Sequence, residues 1–197
     1  MQRVRFNGWK RVVFEIIPVV LLIVTIFIDQ WSKSYFSELW RQNGDTVIIA
    51  NFFVLTCTFN TGAAWGFLSD KSWGQVFFKI LTVVALFAFA IYYLYAAKKK
   101  KTWLKYALIF VIGGTIGNFI DRVLMSGVVD FLSFNFWGYA FPVFNIADSF
   151  LTVGVIMLII YYLFIDENAI FKKNQKAVVV DKNGGEVANE DISDNAE

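Results

Sequence analysis

Residues 113–150 read GGTIGNFIDRVLMSGVVDFLSFNFWGYAFPVFNIADSF. The stretch begins inside an apolar run long enough to cross a bilayer and ends at the start of another, yet it carries Asn118, Asp121, Arg122, Asp130, Asn145 and Asp148. Ionisable groups at or near a membrane are costly to desolvate, so they mark a functional site by default. If residues 113–125 are helical, three- and four-residue spacings put Gly114, Asn118, Asp121 and Arg122 on one face. Gly113 and Gly117 then form a small-xxx-small contact face against which another helix can pack closely. Asp130 falls in the loop that follows and Asp148 at the entry to the next helix. Three acids and two asparagines therefore gather at one end of a helix pair.

The chain around this stretch is 57% hydrophobic and 19% aromatic, with the apolar residues in long runs rather than amphipathic periods. That is the composition of a membrane protein. A net charge of +2, with Lys and Arg flanking the apolar runs, gives no footprint for nucleic acid. There is no histidine and a single cysteine, Cys57, so neither a Ser-His nor a Cys-His pair is available, and a zinc site is equally unsupported. Acid-base chemistry must come from carboxylates, Lys or Tyr. No metal and no cofactor are expected.

A basic start (Arg3, Arg5, Lys10, Arg11) leads into an apolar run over 12–28 with no small-residue cleavage site after it, which reads as a retained span. Further spans are expected over about 76–97, 103–124 and 147–165, each long enough for about 30 Å of hydrocarbon. Between the first two, residues 29–74 are too polar to span. Within them, 46–59 is β-branched and aromatic, as one or two strands would be, and small residues break the pattern over 60–66. The fold expected is a membrane all-α bundle of four transmembrane helices with a small extracytoplasmic β-sheet element, one domain over residues 1–170. The polar tail over 171–197 carries too little apolar surface to fold alone and is expected to be disordered. Lys and Arg cluster at the N-terminus, at 98–101 and after Phe171, whereas 126–145 has none, so both termini should be cytoplasmic. Asp29, Asn60, Asp121, Asp130 and Asp148 would then meet at the outer membrane surface from separate parts of the chain.

Two carboxylates sharing a partly desolvated pocket cannot both ionise easily: one keeps its proton while the other acts as base toward a water. An aspartic peptidase needs this arrangement. Each acid also has a plainer reading. Asp148 can serve the start of its helix, Asp121 can pair with the adjacent Arg122, and Asp29 can pair with Lys33 four residues on. Asn118 and Asn145 can orient carboxylates or merely hold structure. A proton-coupled transporter also carries membrane acids, but near the midplane and in repeated halves, and no internal repeat is found.

The motifs Asp29-Gln-Trp-Ser-Lys33, Asn60-Thr-Gly-Ala-Ala-Trp-Gly66, Gly113-Gly-Thr-Ile-Gly-Asn-Phe-Ile-Asp-Arg122, Val129-Asp-Phe131 and Phe144-Asn-Ile-Ala-Asp148 resemble, in order and topology, those of the bacterial lipoprotein signal peptidases (signal peptidase II). They cover most of residues 12–165. The resemblance implies an aspartic endopeptidase of the cytoplasmic membrane that cleaves the signal peptide from diacylglyceryl-modified prolipoproteins, working among membrane lipid and inhibited by globomycin; a monomer is expected. It implies that Asp130 and Asp148 are the catalytic pair. Asp29, Lys33, Asn60, Gly62, Asn118, Asp121, Arg122 and Asn145 take supporting or substrate-binding roles by the same resemblance. One departure is Ala50-Asn51, where many members carry Pro-Gly.

Overall fold

The computed structural model describes residues 8–62, 73–125, 127–173, 178–180 and 186–188. Four long helices dominate: α1 over Gly8–Asn43, α2 over Gly74–Lys98, α3 over Thr102–Leu124 and α4 over Ile146–Ile160. All four contain stretches long and apolar enough to cross a membrane, α4 by running on through the π-turn Tyr161–Ile165. The expected second to fourth spans match these elements. The first does not. Instead of ending near Ile28, α1 continues through Asn43, because residues 19–43 contain neither Gly nor Pro and the polar residues after Asp29 bond within the helix, as Lys33 does to Asp29 and Arg41 to Glu38. Gly44 ends it with φ +68° and its N–H on Trp40 O, a left-handed stop that glycine takes without strain.

α3 is the central helix. Half of its span is buried inside the protein, against 6% of α2, whose Phe87, Ile91 and Leu94 stand largely exposed. Such apolar surface suits lipid, not water. Leu104, Leu108 and Ile112 of α3 pack with Ala96 of α2 and Tyr161 at the end of α4. Closer to the motifs, glycines admit close neighbours that a side chain would exclude. A Cβ on Gly113 would strike Thr25 of α1, one on Gly114 the Ala147 carbonyl of α4, and one on Gly117 the Asp29 carboxylate and Ala147. The small-residue face therefore serves two neighbours at once.

At the end of the bundle lies a four-stranded antiparallel sheet of β1 (Thr46–Ile49), β2 (Phe53–Asn60), β3 (Val128–Phe136) and β4 (Tyr139–Ala140), in that spatial order. β1 lies within the stretch expected to form strands, and β2 runs one residue past it, to Asn60. Asn51 turns between them at φ +59°, a conformation asparagine tolerates better than most residues, so the Ala50-Asn51 departure still makes a tight turn. β3 corrects the expected loop over 126–145. Val128–Phe136 pairs with β2 through the register Thr58↔Asp130 and Asn60↔Val128. Phe131 stacks on Phe36 at 4.6 Å between ring centres, which docks the sheet on the extension of α1. After β4 the chain returns beside β3: Leu132 N–H donates to Phe144 O at 2.9 Å and Phe144 N–H to Leu132 O at 3.1 Å, immediately before α4.

The tail reading also changes in part. Ile170–Lys173 forms a short helix, α5, and Val178–Val180 pairs antiparallel with Glu186–Ala188 as β5 and β6. A run of three β-branched valines favours such pairing. The rest of the tail lies outside the described residues.

Candidate active site

The sheet and the helix ends deliver the polar residues to one place. α1 brings Asp29, Gln30 and Lys33; the end of β2 brings Asn60 and Gly62; α3 brings Asn118, Asp121 and Arg122; β3 brings Asp130; and Asn145 and Asp148 open α4. Asp29, Lys33, Asn118, Asp121, Asp130 and Asn145 are all buried.

The lower layer is an ion cluster. Lys33 Nζ stands 2.8 Å from Asp29, 3.0 Å from Asp121 and 3.0 Å from Asn118 Oδ1, so its three N–H donors meet three acceptors. Gln30 reinforces it by donating to both carboxylates and to Gly117 O. The two carboxylates also reach the neighbouring elements: Asp29 Oδ1 accepts from Ala147 N at 2.8 Å, near the start of α4, and Asp121 Oδ2, the oxygen that also faces Lys33, from Val129 N at 3.2 Å, beside Asp130. Asp121 thus pairs with Lys33 and not with Arg122, which corrects the adjacent-residue reading. Consecutive helical residues diverge by about 100°, so neighbours in sequence face different ways. Gln30 was not among the expected site residues. Its signal appears once α1 is taken past Asp29, because Gln30 then stands three residues before Lys33 and Asp29 four, each a neighbour of Lys33 on the helix surface.

The upper layer holds Asp130 and Asp148. Asp148 is the third helical residue of α4 and forms a capping box with Asn145: the Asn145 side chain accepts from Asp148 N at 2.9 Å, and Asp148 accepts from Asn145 N at 3.2 Å. The plain capping reading of Asp148 is therefore correct, and its other oxygen remains for the site, where Asn118 Nδ2 donates to it at 2.7 Å. Asp130 accepts from Asn145 Nδ2 at 2.7 Å and from Asn60 Nδ2 at 3.1 Å. Asn145 Nδ2 also reaches Asn118 Oδ1 at 3.0 Å, so the two carboxylates are joined through a pair of amides. Burial, and then the Asp148 carboxylate facing it, push Asp130 up to about 6. Gly62 N–H donates to Asn60 Oδ1, which holds that side chain toward Asp130. Residues 63–66 of the same motif lie outside the described residues. Arg122 lies over the Phe78 ring and reaches Gly62 O only at 3.5 Å; its Nε is buried with no partner among the described residues.

Both carboxylates, Asn60, Asn118 and Arg122 line one cavity of about 770 Å³. Across residues 21–164 the chain matches the sequence pattern of signal peptidase II. The chain belongs to the signal peptidase II family. It is 38% identical over 154 residues to the lipoprotein signal peptidase of Staphylococcus haemolyticus, spanning 78% of this chain and 95% of that protein. It is 42% identical over 144 residues to that of Bacillus pumilus, spanning 73% and 90%. A solved bacterial membrane enzyme with 38% identity superposes with a TM-score of 0.63 over 73% of this chain and 85% of its own. Signal peptidase II is a peptidase, and this member of the family is an enzyme built on a multi-pass membrane bundle.

Proposed function

We propose that Asp130 and Asp148 are the catalytic pair with which this chain cleaves the signal peptides of prolipoproteins. The observation that carries this reading is the linkage of two carboxylates through Asn118 and Asn145 at one cavity, with Asp130 raised to about 6. Asp148 accepts a proton from a water whose oxygen attacks the scissile carbonyl carbon, and Asp130 gives its proton to the carbonyl oxygen. The intermediate then collapses: the C–N bond breaks, the leaving nitrogen takes a proton from the pair, and the signal peptide departs as a carboxylic acid. The chain's other polar groups hold this geometry. Asn60 and Asn145 aim Asp130, Asn118 and the capping box aim Asp148, and Lys33 anchors Asn118.

The substrate on this reading is a prolipoprotein carrying a diacylglyceryl cysteine, approached laterally from lipid, and globomycin competes for the same cavity. The site groups named here all come from one copy, so a monomer suffices for the chemistry. The clustered positive charge at 98–101 and at Lys172, Lys173 and Lys176 supports cytoplasmic termini, with the site at the outer face of the cytoplasmic membrane. Reporter fusions test the orientation: those at 98–101 and after Phe171 should report cytoplasm, and one near Tyr139 the outer side. The function is tested by incubating the purified full chain with a diacylglyceryl-modified prolipoprotein and its unmodified form. Only the modified protein should shorten, and globomycin should stop it; cleavage of both or of neither counts against the proposal.

A further inference from the structure

The cavity that holds the two carboxylates continues into the spans. Three residues before Asn118 on α3 stands Thr115, and three after Asp148 on α4 stands Leu151; both line the cavity, as does Thr82 of α2. Three helical residues rise about 4.5 Å. Because α3 runs toward the site and α4 away from it, both steps lead in the same direction, away from the sheet and into the bundle. The hydroxyls of Thr115 and Thr82 are already occupied. Thr115 Oγ1 donates to Val111 O at 2.6 Å and Thr82 Oγ1 to Phe78 O at 2.7 Å, each four residues back in its own helix. Each threonine is left with its methyl as the group it can offer an occupant. Gly114, beside Thr115, is sealed against α4, where an added Cβ would strike the Ala147 carbonyl and approach Leu151 N. The α3 wall at this depth is therefore shaped by Thr115.

We infer that Thr115, opposed by Thr82 and Leu151, sets how large a side chain is accepted on the signal-peptide side of the scissile bond, an assignment that rests on the catalytic reading of Asp130 and Asp148. A signal peptide is the apolar part of the substrate and lies along the spans, so the residue on its side of the cleaved bond points toward this end of the cavity. At Thr115, Thr82 and Leu151 the wall offers methyl groups, so it receives an apolar side chain there, and the Thr115 methyl limits its bulk.

The test uses the purified full chain and two diacylglyceryl-modified prolipoproteins that differ only in that residue, alanine in one and leucine in the other. Thr115→Ser keeps the back-bonded hydroxyl and removes the methyl; Thr115→Val keeps the shape and removes the hydroxyl. Thr115→Ser should raise the leucine-to-alanine ratio of kcat/KM roughly tenfold, the scale of one methyl or methylene in an apolar pocket. Thr115→Val should leave the ratio within about twofold. An unchanged ratio in Thr115→Ser, or an equal shift in Thr115→Val, overturns the assignment. Because the readout is a ratio on one enzyme preparation, partial loss of folded protein does not affect it. Wild-type cleavage of the alanine substrate, abolished in Asp130→Asn, keeps the underlying reading intact whatever Thr115 does; failure of the wild type on both substrates removes both.

Discussion

Lys33 Nζ lies 3.0 Å from Asn118 Oδ1, and this contact fixes which way round the Asn118 amide stands. An ammonium has donors only, so it must face the amide oxygen, and Nδ2 is then obliged to face Asp148, to which it donates at 2.7 Å. Removing the ammonium leaves the amide oriented by Asn145 and Asp148 alone, and leaves Asp29 and Asp121 buried around Gln30 with no cation. Lys33→Met should cost about 3–5 kcal/mol of stability, the range for breaking one side of a buried ion pair. Thermal unfolding in detergent measures it. Pairing it with Asp29→Asn should recover part of the loss, because one buried charge is then gone.

Asp130→Asn and Asp148→Asn should each lower cleavage by at least about a thousandfold, since a neutral amide cannot exchange a proton with water or carbonyl. The double variant should be scarcely slower than either single one, as expected for groups acting as a unit. Both variants should remain folded, for Asn at 148 can still accept from the Asn145 N–H in the cap. Asp121→Asn should retain measurable turnover because it loses only a charge facing Lys33. Rates at equal folded-protein levels decide the assignment; a dead Asp121→Asn beside an active Asp130→Asn would reverse it.

The proton on Asp130 also predicts two dependences on pH. Its carboxyl titrates at about 6 in the folded chain against 3.8 for the ordinary group. The folded state therefore holds this proton more tightly than the unfolded state, and stability falls as pH rises from about 4 to about 6, then no longer changes on this account. Asp130→Asn should flatten that slope in thermal unfolding measured across the window. In activity, kcat/KM should decline above about pH 6, where the free enzyme loses the proton that Asp130 delivers. A flat profile from pH 5 to pH 8, roughly, would exclude Asp130 as the acid.

At the far end of the bundle, Asp166 accepts from Lys101 at 2.7 Å and from the Tyr161 hydroxyl at 2.5 Å, tying the α2–α3 connection to the π-turn after α4. The bond to Lys101, followed by that to Tyr161, holds the Asp166 carboxyl well below the usual carboxylate range. Asp166→Asn should lower stability by about 1.5–3 kcal/mol, the range for a hydrogen bond to a charged group. Activity of the protein that remains folded should be unchanged, because this cluster sits at the other end of the spans.

Long apolar runs made the second to fourth spans legible, because crossing hydrocarbon demands about twenty apolar residues whatever the tertiary contacts. The second half of α1 was not legible by the same test. It is polar, and what keeps it helical is packing on the sheet and an ion cluster completed by Asp121, 88 positions beyond Lys33 by residue number. β3 was hidden for a related reason: Val128–Phe136 follows a helix and has few turn residues to frame it, and its partner β2 is far off in sequence. Charge and spacing brought Asp121, Asp130 and Asp148 to one end of the bundle but could not choose among them. That choice depends on which acid Lys33 neutralises, a three-dimensional fact.

The unbroken run of α1 ties chemistry to counting. The helix that crosses the membrane is also the one that presents Asp29 and Lys33 to the site and Phe36 to the sheet. One residue inserted between Val20 and Ile28 would advance everything beyond it by about 1.5 Å and rotate it by about 100°. Lys33 would leave Asp121 and Asn118, and the sheet would lose its seat. A span that only anchors can gain or lose a residue by tilting, whereas this one is an indexed shaft whose phase must be right, and its length should tolerate no single-residue change along that stretch.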